Sequence, residues 1–224
     1  MNKIFNFNNI KAVIFDIDGT IMDSIGRIVE CMQLSCKDMS VEAPSVQACK
    51  DIIGLTLAEA VDTLLPNFNE KLRTQTVQCY KDNYTKLEDE CPTQLFKDTE
   101  AVFEQLHANG YKIGIATGKS RKGYNRVMGY TNLARYIDVS VTGDEVRSKP
   151  DQQMLLRACD KLLLPVKACL MVGDSVLDIG MANNALMPSA AVLTGVHDYE
   201  RLSKLAPVSI TENLTDLCNQ ILNK

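Results

Sequence analysis

Histidine is scarce in this chain: His107 and His197 are the only two. The eight cysteines, at positions 31, 36, 49, 79, 91, 159, 169 and 218, form no C-x-x-C pair. They also stand at no zinc-like spacing from the histidines, so neither a zinc module nor a C-x-x-C redox centre is expected. Most of them sit among apolar neighbours, which reads as reduced, largely structural thiols in a cytoplasmic protein. No apolar run approaches the roughly 18 residues that a membrane helix needs, and no membrane partner is expected. Met1 to Asn9 has no continuous apolar stretch, so no secretory leader is expected. Low-complexity tracts and internal repeats are missing too. Nor is there an excess of positive charge: 24 Lys and Arg stand against 28 Asp and Glu, a net charge of −4. That balance offers no broad basic field to a nucleic acid.

What is present is an ordinary globular composition, 46% apolar and 23% charged over 224 residues. The length suits one large domain or two small ones. Ile10 to Phe15 is a short apolar run, too short for a helix, and predicts a buried strand. It ends in Asp16-Ile17-Asp18-Gly19-Thr20. Two carboxylates this close repel by roughly 4 kcal/mol at about 4 Å and an effective dielectric near 20. A cation between them removes the repulsion, whereas a plain Asp/Gly turn is the alternative explanation.

Beyond Thr20 the periodicity is helical. Asp23-Ser24 can cap a helix carrying Ile25, Ile28, Val29 and Met32. Asp51 to Leu65 predicts two short helices bent at Gly54 and ended by Pro66, and Glu70 to Glu88 predicts a further amphipathic helix. No strand pattern occurs between about 21 and 92. From about 98 onward helix and strand patterns alternate, which implies βαβ units and a parallel sheet. The expected strands are Tyr111–Ala116, Tyr136–Val141, Cys169–Val172, Ser189–Leu193 and a weak one near Val208–Ile210. Helices are expected from Asp98 to Asn109, after Ser120 to about Met128, from Pro150 to about Leu163, after Ser175 to about Met187, and over Asn213–Leu222.

The polar clusters lie at, or just beyond, the C-terminal ends of these strands, which share one edge of a parallel sheet. Asp16 and Asp18 follow the first strand. Thr117 and Gly118 follow the second and offer a hydroxyl and backbone N–H donors, which suit an anion. Lys149 lies in the loop after the third, fixed by Pro150. Asp174 and Asp178 follow the fourth at i, i+4 spacing, one face of a helix start. If these ends converge, Asp16, Asp18 (through its carboxylate or its backbone carbonyl) and Asp174 offer hard oxygen ligands for Mg²⁺. Mg²⁺ and Lys149 together add three positive charges, which lets a phosphate dianion approach. Such a site suits phosphoryl transfer. The run Lys119, Arg121, Lys122 and Arg126 reads as a solvated helix face, with attraction of an anionic substrate as the alternative.

The ordered set Asp16-x-Asp18-Gly-Thr, Thr117, Lys149-Pro150 and Gly173-Asp174-x-x-x-Asp178 resembles the four motifs of the haloacid dehalogenase superfamily. Gly54-Leu55, Thr117-Gly118-Lys119-Ser120 and Gly143-Asp144 make it most similar to the phosphoglycolate phosphatase and β-phosphoglucomutase branch. The resemblance implies an α/β fold, a Rossmann-like parallel sheet core (1–20 and 93–224) with an inserted small α-helical cap domain (21–92). It implies a Mg²⁺-dependent phosphatase with Asp16 as nucleophile, forming an aspartyl-phosphate, and Asp18 as general acid and base. Thr117, Gly118 and Lys149 would bind the phosphoryl oxygens. Asp16, Asp18, Asp174 and Asp178 would form the metal site, Asp178 through water or by orienting Lys149. Arg27, Lys50 and Gly54 lie where family caps often touch substrate. Expected partners are a small phosphorylated substrate and at most a second copy of the chain in a weak homodimer. A phosphomutase of the β-phosphoglucomutase type is the first alternative, and a non-catalytic binding protein on the same scaffold is the second.

Overall fold

The computed structural model describes residues 5–223. The sequence reading of Met1 to Asn9 falls partly on residues 1–4, outside the described residues. Six strands form one sheet in the order β3-β2-β1-β4-β5-β6, and every pairing is parallel. They are β1 (Ala12–Phe15), β2 (Lys112–Thr117), β3 (Val139–Thr142), β4 (Cys169–Gly173), β5 (Ser189–Val192) and β6 (Ser209–Thr211). The parallel sheet expected from the alternating pattern, and the Rossmann-like α/β core implied by the resemblance, are thus observed.

β1 lies at the centre, between β2 and β4, and all four of its residues are buried. Both of its faces are covered, which is why it reads as an unbroken apolar run rather than an alternating one. Val13 and Phe15 point to one face, where Phe103 and Leu106 of α5 (Thr99–Ala108), Tyr124 and Val127 of α6 (Arg121–Tyr130), and Leu217 and Ile221 of α10 (Leu214–Leu222) pack. Ala12 and Ile14 point to the other, against α7 (Gln153–Leu162) and α8 (Val176–Asn184). Phe15 and Phe103 meet with ring centroids 4.8 Å apart. Register puts Phe15 beside Ile115 and Val172, so the residues that follow all three strands emerge together.

Between β1 and α5 the chain forms a helical cap: α1 (Ile25–Asp38), α2 (Val46–Asp51), α3 (Leu57–Leu64) and α4 (Glu70–Glu90). The cap buries its own apolar cluster of Val29, Met32, Cys36, Val41, Cys49, Val61 and Leu65. Its two linkers run side by side: Asp23 N donates to Gln94 O at 3.0 Å, and Met22 bridges Leu95.

Several elements depart from expectation for local reasons. α2 ends at Asp51 rather than starting there, because Ser45 accepts from Ala48 N at 3.1 Å and caps an earlier turn. β3 starts late because Leu133–Tyr136 forms a 3-10 turn. α7 starts beyond Pro150, after Asp151 accepts from Gln153 N at 2.8 Å. Ser24 and Asp98 stand at the predicted N-caps, but neither caps its helix. The Ser24 hydroxyl donates to Asp18, and Asp98 Oδ2 accepts from the Thr215 amide and hydroxyl, both at 2.9 Å. A short helix not anticipated from the sequence, α9 (Tyr199–Ser203), is capped by Asp198.

Phe103 is fully buried against the central strand. Phe103→Ala should destabilise the fold by roughly 3–5 kcal/mol, read from urea denaturation at unchanged m-value. A loss below about 1 kcal/mol would mean that this face of the sheet does not carry the core.

Candidate active site

Lys149 is 1% exposed, and its ammonium is held between two acids. Nζ lies 2.6 Å from Asp16 Oδ1 and 2.6 Å from Asp178 Oδ1. Burial works against the charge of Lys149, but Asp16 and Asp178 outweigh it and hold the lysine above its usual range. Asp178 divides its oxygens. Oδ1 takes the lysine, while Oδ2 accepts from the Ser175 amide at 3.1 Å and its hydroxyl at 2.6 Å. With Asp178 N donating to Ser175 Oγ, this closes a capping box at the start of α8. The helix start that aims Asp178 therefore also fixes its rotamer.

Asp174 lies at the end of β4 and is 1% exposed. Its Oδ1 accepts from the Thr20 hydroxyl at 2.7 Å and its Oδ2 from Val196 N at 2.8 Å. Two glycines leave it room. A Cβ on Gly195 would sit 1.8 Å from Asp174 Oδ2, and one on Gly19, at φ +80°, would sit 2.5 Å away. One oxygen each from Asp16, Asp174 and Asp178 lie within 4.8 Å of one another. Burial, opposed by Lys149 and reinforced by Asp178 and Asp18, pushes the Asp16 carboxyl up to about 7. Burial, then Asp178 and Asp16, raise that of Asp174 as well. A dry set of hard oxygens with too much negative charge fits a hard divalent cation and lacks the nitrogen or sulfur that zinc prefers.

Asp18 is placed differently. Its carboxylate lies outside that cluster and turns toward the cap, where Oδ1 accepts from Ser24 Oγ and lies 2.8 Å from Lys119 Nζ. Thr117 is fully buried, with Oγ1 accepting from Lys119 N at 3.2 Å. Gly118 lies under the cap loop, where a Cβ would fall 2.5 Å from Gly54 O and 2.6 Å from Leu55 O. Thr56 N, in the same loop, donates to Ser148 Oγ at 3.0 Å. Gly54, at φ +108°, forms the expected bend and brings the cap loop against the residues after β2 and β3.

The basic run does not form one solvated face. Lys119 points inward; its side chain is only 12% exposed and its ammonium lies 3.4 Å from the Tyr84 hydroxyl. Arg121 pairs with Glu145 at 2.6 Å, and Arg126 reaches Asp89 of the cap at 3.0 Å, while Lys122 alone of the four is exposed. Among the expected cap contacts, Arg27 is occupied by buried Glu88 at 3.3 Å and by Cys91 O at 3.1 Å. Sequence reasoning named Thr20 only within the first motif and Ser24 only as a helix cap, and gave no site role to Ser175 or Tyr84; their contacts appear only once the strand ends meet.

Residues 13–192 match the family model described as haloacid dehalogenase-like hydrolase. The chain belongs to the haloacid dehalogenase-like hydrolases. This hydrolase is 28% identical over 200 residues to the "Putative pyrophosphatase PpaX" of Clostridium perfringens, covering 88% of this chain and 91% of that one. It is 27% identical to the phosphoglycolate phosphatase of Yersinia pseudotuberculosis, covering 94% of this chain and 93% of the relative. Among solved structures, a predicted phosphatase from Clostridium acetobutylicum superposes with a TM-score of 0.82 at 25% identity, over 96% of this chain and 99% of that one.

In this hydrolase the raised carboxyls of Asp16 and Asp174 have a sign that can be read in solution. A group whose carboxyl is raised in the folded state stabilises below its unfolded value near 4 and loses that contribution as pH rises through the folded one. In EDTA the melting temperature should therefore fall as pH rises from about 4 to about 7. Mg²⁺ should reverse the fall and stabilise more at pH 7 than at pH 5. An equal Mg²⁺ effect at both pH values would count against the carboxylate cluster as its site. Gly195→Ala should weaken Mg²⁺ binding by titration calorimetry while the fold persists, since the added methyl displaces Asp174.

Proposed function

We propose that this hydrolase is a Mg²⁺-dependent phosphatase acting on a small phosphate monoester through an aspartyl-phosphate on Asp16. The observation that carries the reading is the buried Lys149 ammonium, 2.6 Å from both Asp16 and Asp178, with Asp174 completing the carboxylate cluster. The names of the relatives, phosphatases and a pyrophosphatase, support the same reaction class.

An Asp16 oxygen attacks phosphorus, and the bond to the ester oxygen breaks. Asp18 delivers a proton to the departing oxygen, then takes one from the water that attacks the phosphoenzyme, releasing phosphate and regenerating Asp16. Thr117 Oγ1, the backbone N–H of Gly118 and Lys149 hold the phosphoryl oxygens as charge develops on them. Asp16, Asp174 and Asp178, with the backbone carbonyl of Asp18, would hold the Mg²⁺, Asp178 chiefly by fixing Lys149. When bound, the ion neutralises the carboxylates and withdraws charge from the phosphoryl group. Asp18 faces the cap, on the side where the leaving group departs.

Asp16 is 2% exposed, so the ester enters only when the cap lifts about the paired linkers at Met22 and Leu95. In this reading the core is 1–20 and 93–224 and the cap 21–92. The protein works in the cytoplasm as a monomer or weak homodimer, without nucleic acid or membrane. Eight free cysteines and the absence, among the described residues, of a helix long and apolar enough to cross a membrane support that setting.

Asp16→Asn should cut Mg²⁺-dependent phosphate release by more than about 1,000-fold with the melting temperature preserved. Turnover that persists in the variant would rule Asp16 out as nucleophile. A burst of phosphate without sustained turnover, relieved by a sugar bisphosphate, would turn the reading toward a mutase.

A further inference from the structure

Lys119 is a nearly buried cation that the phosphoryl-transfer machinery does not use. It leaves β2 two residues after Thr117 and reaches across to the cap. On the core side its ammonium lies 2.8 Å from Asp18 Oδ1. On the cap side it lies 3.4 Å from the Tyr84 hydroxyl and 5.2 Å from the centre of that ring. Tyr80 stacks on Tyr84 with centroids 5.8 Å apart. Burial raises both phenols, so they remain neutral donors. Ser24 binds the same oxygen of Asp18 as Lys119 does, and Oδ2 takes no bond among the described residues. Oδ2 is therefore free to meet the ester oxygen. Two arginines that reach α4 are already paired there: Arg27 with Glu88 and Arg126 with Asp89.

We propose that Lys119 and Tyr84 determine substrate choice by binding an anionic group on the leaving side of the ester. This rests on the phosphatase reading above. A leaving oxygen bonded to Asp18 Oδ2 lies within about 8 Å of the Lys119 ammonium, by two hydrogen-bond lengths and the width of the carboxylate. Terminal oxygens two bonds further out in a diphosphate, or three in a carboxylate, span the remaining distance to Nζ and the Tyr84 hydroxyl. A carboxylate or a second phosphate fits that position, because a desolvated ammonium beside phenol donors favours an anion over a neutral hydroxyl. Lys119 belongs to the core and Tyr84 to the cap, so the pair is complete only when the cap is down. An anionic leaving group would thus bridge core and cap.

The test compares kcat/KM, with Mg²⁺, for 2-phosphoglycolate, pyrophosphate and the neutral analogue 2-hydroxyethyl phosphate. The wild type should favour at least one of the two anionic substrates over the analogue by roughly 10- to 100-fold. Which one it favours separates a carboxylate site from a diphosphate site. Lys119→Met should bring that ratio close to one, chiefly through KM of the anionic substrate, and Lys119→Arg should restore part of it. Tyr84→Phe should lower it less. Each ratio is taken on one preparation, so any unfolded fraction cancels. A wild-type ratio near one, or a ratio that Lys119→Met leaves intact, overturns the assignment while leaving the phosphatase standing. No turnover of any ester overturns both.

Discussion

The ammonium of Lys149 is the constraint on which the site depends. Taking a lone ammonium out of water costs several kcal/mol, and so does burying Asp16 or Asp178 alone. Each is tolerable only because the others are there, at 2.6 Å. Three segments far apart in sequence are thereby bound to one another: the end of β1, the loop after β3, and the first turn of α8. The central position of β1 makes this possible, since its last residue, Phe15, lies level with Ile115 of β2 and Val172 of β4, each within two residues of its own strand end. Breaking the set would leave an unpaired charge in the core rather than a loose surface contact.

Close backbone approach is the second constraint. Gly19 and Gly195 admit the Asp174 carboxylate, Gly173 lies against Asp178, and Gly118 lies against the carbonyls of Gly54 and Leu55. The first three let acids crowd together. The last lets the cap loop rest on the residues that follow β2. In the proposed phosphatase, the core backbone that would offer donors to a phosphoryl group is thus the surface on which the cap loop rests, which would link occupancy of the site to cap position.

The sheet was legible because its strands are buried on both faces and therefore appear as short apolar runs with polar residues at their ends. Asp16, Asp174, Asp178 and Lys149 were legible for the same reason: a strand end in a parallel sheet has one destination. Lys119 was not. Ser120 is the N-cap of α6, accepting from Gly123 N at 3.3 Å, so Lys119 precedes the helix. Its direction follows the exit of β2 and not the helical period that relates Arg121, Lys122 and Arg126. Spacing alone placed all four on one face. Ser24 misled in a similar way, since a serine before an apolar helix reads as a cap, while its hydroxyl is drawn off by Asp18 six residues earlier.

The two lysines divide the site's charge into unequal halves. Around Lys149 stand three carboxylates and one ammonium, a net charge of minus two when all are ionised. A phosphate dianion would be repelled there, and the chain cannot supply the missing charge itself, because no other cationic side chain pairs with these acids among the described residues. A divalent cation brings that half to neutrality. Around Lys119 the balance is already even, one ammonium against Asp18. In the proposed phosphatase, the half that would receive the phosphoryl group therefore depends on a metal supplied from outside. The half proposed to receive the leaving group would be controlled by the chain, through a core lysine and a cap tyrosine. Selection for the phosphoryl group and selection for what it is attached to then rest on separate residues, so the second can change without disturbing the chemistry of the first.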